Sequence, residues 1–290
     1  MDLDEDTQLG RMDDHRRGRS LALSFHPSLV GASSCWWPET LAIAAQSGFA
    51  ALDLTLPELA SGSSGSARER LEAAGVRAGA SPLPVEFRRD EEMFRDDLGR
   101  LPDLAKLASA IGVGTVYRSL PASSEIPAAE LGRTLKRRLR ACAEILAEYG
   151  IRLALEVVGP LHRRREGRHE FLWRLGDCAS FAEMCGDSVG VLVDSWHWHH
   201  ANENENAIVD LGERILHVHL ADSPDLPRER IRDDERLLPG EGVIDLDGFV
   251  RSLIRAGYRG LVSPEIPGGW CGSRKPAACA QRAKDACSRV

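Results

Sequence analysis

Four segments of the 290-residue chain each carry a group that can bind a cation or move a proton near their C-terminal end. LALEVV contains Glu156, VGVLVD ends on Asp194, ILHVHL contains His219 and GLVSPEI contains Glu265. Each of these groups interrupts or closes an otherwise apolar run, and a buried carboxylate without a partner is costly. Three carboxylates gathered at one point would repel one another and have raised pKa values unless a cation sat between them. Three oxygen ligands and one imidazole, with no thiolate, suit one divalent ion: Mn²⁺ first, with Mg²⁺ or Co²⁺ as alternatives. The competing reading for Asp194 and Glu265 is that each caps a following turn. His217 lies one layer below His219 on the same strand face and reads as a hydrogen-bonded core histidine. His199 and His200 read as loop residues.

These groups can meet only if their strands are neighbours. Residues 189–194 form a short apolar run between turn signals, the pattern of a strand buried on both faces in a parallel sheet. The spacing predicts strands over 21–26, 50–54, 76–80, 115–117, 151–158, 189–194, 214–220 and 260–266. Helices are predicted over 38–46, 67–74, 91–111, 128–149, 177–185, 204–211, 247–256 and 276–288. Pro82 and Pro84 should end the third strand, and Gly150 should close the 128–149 helix at its C′ position. Eight alternating units mean parallel strands with helical crossovers, hence an α/β fold. In about 270 residues they fit a single closed (β/α)8 TIM barrel, the architecture whose chemistry sits at the C-terminal ends of its strands. The barrel is expected over residues 21–290, after a disordered N-terminal leader over 1–20 with mixed charge and no periodicity. No GxGxxG follows the first strand and no GxxxxGK[ST] occurs, so a nucleotide-binding open sheet loses its usual support.

Composition narrows the function. A formal net charge of −7 argues against a nucleic-acid partner, which wants a basic face. No apolar stretch approaches the roughly 18 residues of a membrane span, and the N-terminus lacks a secretory h-region. The seven cysteines are scattered without a CxxC and read as reduced thiols of a cytoplasmic protein. The helix surfaces show no decisive oligomer seam, so a homo-oligomer stays open. Trp36, Trp37, Trp196 and Trp198 are placed in or beside strand-end loops, where an aromatic face can stack on a sugar, with packing between helices as the alternative. Asp222, three residues past His219, is a candidate to orient a ligand or contact an arginine.

LALEVV, VLVDSWHWH, ILHVHLAD, LLPGEGVIDL and GLVSPEI, in that order, resemble the xylose-isomerase-like TIM-barrel sugar isomerases and epimerases. That group includes ketose 3-epimerases, hydroxypyruvate isomerase-like proteins and inosose dehydratases. The resemblance runs from about residue 21 to the C-terminus and is most specific over 151–266. It implies a metal held by Glu156, Asp194, His219 and Glu265, with Glu156 and Glu265 also serving as the catalytic acid–base pair. His197, in the Asp-x-x-His of the sixth strand, matches a substrate-binding histidine. The loop DSPDLPRERIRDDER is longer and more charged than the arginine-bearing link of the ketose 3-epimerases, so Arg228 or Arg230 is the candidate for gripping substrate. The pocket residues of the first strands, His26, Trp36 and Trp37, match no single substrate class.

The implied activity is a metal-dependent isomerase or epimerase acting on a keto-sugar or related polyol through an enediolate. The alternative is a lyase or dehydratase on a keto-inositol or 3-keto-glycoside at the same site. Further away stand a DNA-repair nuclease of the endonuclease IV type and a barrel that only binds a ligand.

Overall fold

The computed structural model describes residues 21–31, 36–60, 64–267 and 270–290. The expected leader, residues 1–20, lies outside the described residues, as does Cys35. The strands are β1 (Ala22–Phe25), β2 (Ala51–Leu52), β3, β4 (Thr115–Ser119), β5 (Arg152–Glu156), β6 (Val189–Asp194), β7 (Ile215–Leu220) and β8 (Leu261–Pro264). Here β3 comprises two consecutive pieces, Arg77–Ala78 and Ser81–Pro82. Every pairing in this sheet is parallel.

The two pieces of β3 close the ring. The first pairs with β2 and the second with β4, so the two ends of the nine-segment sheet are one stretch of chain. Between them Gly79 donates to the Leu52 carbonyl and Ala80 accepts from the Leu54 N–H. The second piece ends at Pro82, as expected, and one further bond, from the Leu83 N–H to the Tyr117 carbonyl, follows it. Helices Trp37–Gln46, Ser64–Ala74, Glu91–Ile111, Ala128–Glu148, Leu175–Cys185, Glu205–Val209, Leu246–Arg255 and Pro276–Cys287 occupy the crossovers and the C-terminus. Their apolar faces and the outward strand residues make one large core, with Leu101, Leu135, Leu153 and Phe249 fully buried. A separate small cluster of Ala80, Tyr117, Ala154 and Leu192 fills the barrel interior below the rim.

A bulge in β7 aims the histidines. Ile215 pairs with Val191, yet His217 pairs with Leu192 and His219 with Asp194. β7 therefore spends one more residue than β6 over this stretch. Val191 packs outward against the helices and Leu192 inward, so the extra residue turns His217 and His219 from the face of Ile215 to the barrel interior. Leu216 packs toward the inner cluster, in space that Gly190 leaves open. A Cβ at Gly190 would stand 2.6 Å from Leu216 Cγ and 2.5 Å from the Arg214 carbonyl oxygen.

Two further expectations change. The segment after Asp194 is a helix, Ser195–Ala201, not a loop, so His199 and His200 are helical. It stops at Asn202, which takes the left-handed conformation at φ 57°. Cys271 and Cys279, expected as reduced thiols, form a disulfide with Cα atoms 5.9 Å apart. The turn after Trp270 folds back on the first turn of the last helix and brings them together. Cys142, Cys178, Cys185 and Cys287 are free and buried. Among the described residues, no helix is long and apolar enough to cross a membrane.

Gly190→Ala is expected to lower stability by about 1–3 kcal/mol in a urea melt, the usual cost of overpacking. It should also weaken divalent-ion binding in a calorimetric titration, because the bulge aims His219. Gly99→Ala, in a helix where an added Cβ meets nothing within 4 Å, is the control and should be neutral or stabilising.

Candidate active site

Glu156, Asp194, His219 and Glu265 converge at the C-terminal rim, each offering a ligand atom within 4.8 Å of the others. The registers explain how. Glu156 lies opposite Leu192, Asp194 opposite His219, and the residue before Glu265 opposite Leu220. The stagger between tilted strands carries four consecutive strand ends to one point. Glu156, Asp194 and His219 are buried, and Glu265 is partly open to the cavity.

Asp194 caps the following helix, as the competing reading had it, and also faces the cluster. Its Oδ1 caps the helix by accepting from the Trp196 N–H at 2.8 Å, while its Oδ2 accepts from Arg236 at 2.7 Å. Ser195 then ties β6 to β7: its Oγ donates to the Ala221 carbonyl at 2.7 Å and accepts the Ala221 N–H at 2.9 Å. Glu156 Oε2 accepts from Ser119 Oγ at 2.5 Å. Its Oε1 lies 3.4 Å from His219 Nδ1, and the same nitrogen lies 3.4 Å from Glu265 Oε2.

The electrostatics follow from three carboxylates in one buried space. At an effective dielectric near 20, two like charges at such separations repel by about 3 kcal/mol. Arg236 counters this. Its Nη1 reaches Asp194 Oδ2 at 2.7 Å and Glu265 Oε2 at 2.9 Å, while its Nη2 lies 3.3 Å from His197 Nε2. The indole of Trp196 lies beneath the guanidinium at 5.5 Å. Burial disfavours the His219 cation, but Glu265 and then Glu156 outweigh it and raise its pKa well above the usual imidazole value. Burial likewise works against the charge on Glu265, yet His219 and Arg236 hold its carboxyl well below the usual range.

The chemistry of the donor set fits a cation. Glu156 Oε1 and both ring nitrogens of His219 are buried and make no hydrogen bond. Buried polar atoms are rarely left so, and three carboxylates with one imidazole are ligands for a hard or borderline divalent ion.

A second group backs onto His219 from the early strands. Asp53 Oδ1 accepts from Ser24 Oγ at 2.6 Å and the Ala80 N–H at 3.0 Å. Its Oδ2 faces His217 Nε2 at 3.7 Å, and His217 is hydrogen-bonded to Ser263 Oγ at 3.1 Å, as a core histidine would be. His26 Nε2 meets the Tyr117 hydroxyl at 3.1 Å, and burial lowers its pKa. His26, Asp53, Tyr117, Ser119 and Glu265 line a cavity of about 320 Å³ with Arg88 and Arg118. That volume stands at the small end of the usual range for ligand pockets, about 300–1,000 Å³.

The remaining sequence candidates fall elsewhere. Arg230 is exposed on the loop and Arg228 bonds Asn202, so the guanidinium in the site is that of Arg236. Trp36 is 58 % exposed and does not line the cavity. Trp196 and Trp198 are buried structural residues, Trp198 packing on Phe249. Asp222 contacts neither a candidate ligand nor an arginine. It accepts N–H bonds from Ser223, Gly240, Gly242 and Ile244, and so ties the 238–244 loop to the end of β7. The glycines there are structural, since a Cβ on Gly242 would stand 2.5 Å from Asp222 Oδ1. Asp53 carried a usable signal, an acid at the end of the second strand. Arg236 carried none, because a long charged loop fixes no register.

Fold and site together define a closed α/β barrel with an acid–imidazole cluster at its catalytic rim. The chain belongs to the xylose isomerase-like TIM barrel family, whose model matches residues 41–286. The inosose isomerase of Bacillus velezensis is 27 % identical over 183 residues, covering 61 % of this chain and 62 % of that protein. The alignment thus spans a little under two thirds of that relative's length. The 3-dehydroshikimate dehydratase of Pseudomonas putida is 28 % identical over 79 % of this chain but only 36 % of its own length. A xylose isomerase domain protein from Alicyclobacillus acidocaldarius superposes with a TM-score of 0.84 at 30 % identity, over 93 % of this chain and all of that one. The IOLI protein, crystallised with a bound zinc atom, shares the fold at a TM-score of 0.79 and 22 % identity, over 92 % of this chain and 96 % of that one.

Arg236→Ala removes the cation from two buried carboxylates and should cost about 3–5 kcal/mol in metal-free protein, measured by urea denaturation. Asp222→Ala strands four backbone donors and should cost about 3 kcal/mol or more in the same assay, while leaving divalent-ion affinity within a few-fold.

Proposed function

We propose that this chain is a divalent-metal-dependent isomerase or epimerase of a keto-sugar or related polyol. The observation that carries this reading is the convergence of Glu156, Asp194, His219 and Glu265, with Glu156 Oε1 and both nitrogens of His219 buried and unbonded. These four residues would hold the ion, Mn²⁺ before Mg²⁺ or Co²⁺. When bound, such an ion supplies Lewis-acid polarisation of a substrate carbonyl.

The chain's own groups carry the proton. Glu156 and Glu265 flank His219 and serve as base and acid on the carbon beside the substrate carbonyl. Ser119 fixes Glu156 through one carboxylate oxygen and leaves the other facing the site. Arg236 and His197 stand where a substrate oxygen would develop negative charge, and Trp196 holds the guanidinium in place. Burial of Glu156, Asp194 and His219 lowers the local dielectric and strengthens these interactions.

The second reading is a dehydratase, in which removal of the same proton is followed by loss of a β-hydroxyl. It is supported by the similarity to 3-dehydroshikimate dehydratases over as much as 79 % of the chain. The metal, the base and the substrate oxygen contacts are common to both, so only the fate of the carbanion separates them.

Glu156→Gln and Glu265→Gln should each lower kcat by about a thousandfold or more with keto-sugar substrates, with the thermal midpoint retained. Chelation should abolish turnover, and Mn²⁺ should restore it with a rise in melting temperature. A fully active chelated enzyme, or a double variant with wild-type turnover, would sink this reading. Product analysis by NMR in ²H₂O separates epimer, isomer and dehydrated product.

A further inference from the structure

The cavity beside Glu265 has two kinds of charged lining. Glu265, Asp53 and His26 line it with acid and imidazole, and Arg88 and Arg118 line it with guanidinium groups. Both bind one carboxylate. Arg88 donates to Glu86 at 3.0 and 2.8 Å, and Arg118 Nη2 donates to Glu86 Oε2 at 3.2 Å. Bonding to Arg88 above all holds the Glu86 carboxyl down at about 2, so it stays ionised and cancels one of the two positive charges. One positive charge is left on this group, in a cavity that the carboxylates of Asp53 and Glu265 also line. Burial above all, and then the nearby Arg88 cation, lower the pKa of Arg118, while Glu86 works the other way. Arg118 does not pack into the barrel. It sits between Tyr117 and Ser119 at the end of β4, where both neighbours line the same cavity. Arg88 and Ser119 also border an adjoining hollow of about 260 Å³, so Arg88 stands where the two spaces join.

A neutral sugar needs hydroxyl partners there, not a surplus cation. We propose that the substrate of this site is anionic, a small keto-polyol bearing a carboxylate or phosphate group that Arg118 and Arg88 grip while the reacting carbons lie against Glu265. Planar guanidinium forks suit either oxyanion. The small volume keeps the anionic group and the reacting centre in one compact molecule. The inference rests on the reading of this site as a keto-polyol enzyme, and names the substrate class that reading left open.

The test uses the full chain with Mn²⁺ and two matched sets of probes. One is D-fructose, D-fructose 6-phosphate and D-fructuronate; the other is 2-keto-myo-inositol and 3-dehydroshikimate. Calorimetric affinity is measured alongside turnover, so that binding is read even where no probe is converted. At least one acidic probe should bind about tenfold or more tighter than its neutral counterpart, and which one does so tells phosphate from carboxylate. Arg118→Gln should lower that affinity, and kcat/KM where there is turnover, by roughly ten- to a hundredfold, mainly through KM. It should leave the neutral probe within about twofold, and Arg118→Lys should recover part of the loss. Arg88→Gln serves as a second variant should Arg118→Gln fail to fold. Neutral probes binding as tightly as acidic ones, or variants that weaken both equally, would overturn the proposal. Tight acid binding without turnover of any probe would overturn the keto-polyol reading of the probes' reaction and leave only the anion grip of Arg118 and Arg88 standing.

Discussion

Three carboxylates cannot share a buried space without positive charge among them, and much of the rim is arranged around that constraint. Arg236 binds Asp194 and Glu265, and His219 lies between Glu156 and Glu265. Yet the compensation is incomplete, because Glu156 Oε1 and both nitrogens of His219 keep no hydrogen-bond partner. A fold stabilised only by its ion pairs would have closed these atoms off. Turned inward as they are, these atoms suit a dication, and the proposed metal site rests on that.

The supports of the cluster are spread through the chain. Ser119 on β4 holds Glu156, and the Trp196 N–H holds Asp194. The β7 bulge turns His219 inward, and Trp196 underlies Arg236. Ser119 and Arg236 lie far in sequence from the groups they meet, while the Trp196 N–H and the β7 bulge act from two residues away. Such positioning is what a preorganised site requires, since catalytic geometry depends on side chains whose rotamers are already fixed. The same rim carries a second, basic wall built from Arg88 and Arg118. The site is thus polar in two senses: a cluster of acids and imidazole, and beside it a pair of guanidinium groups.

Much of this was legible in the chain. Strand and helix periodicities located all eight strands, because a strand buried on both faces is a nearly continuous apolar run and a polar residue in it stands out. Glu156 in LALEVV and Asp194 after VGVLV could be named for that reason. Less legible was the helix over Ser195–Ala201, whose aromatic and histidine residues carry no helical apolar pattern of their own. The pairing of Cys271 with Cys279 was hidden too, since an isolated spacing does not say which turn folds back on which helix.

By itself, the order and spacing of residues determined the alternation of strands and helices, hence a parallel barrel, and the four strand ends that carry acid or imidazole. Those are local properties, set by side-chain period and burial. Only the tertiary structure decided which groups actually meet. It set the stagger that unites four strand ends and the extra residue in β7 that turns His217 and His219 inward. It brought Arg236, and not Arg228 or Arg230, out of a long loop onto the carboxylates, and made Asp222 the anchor of that loop's return. Those outcomes depend on register and on how a loop packs, and neither is written in the identity of any single residue.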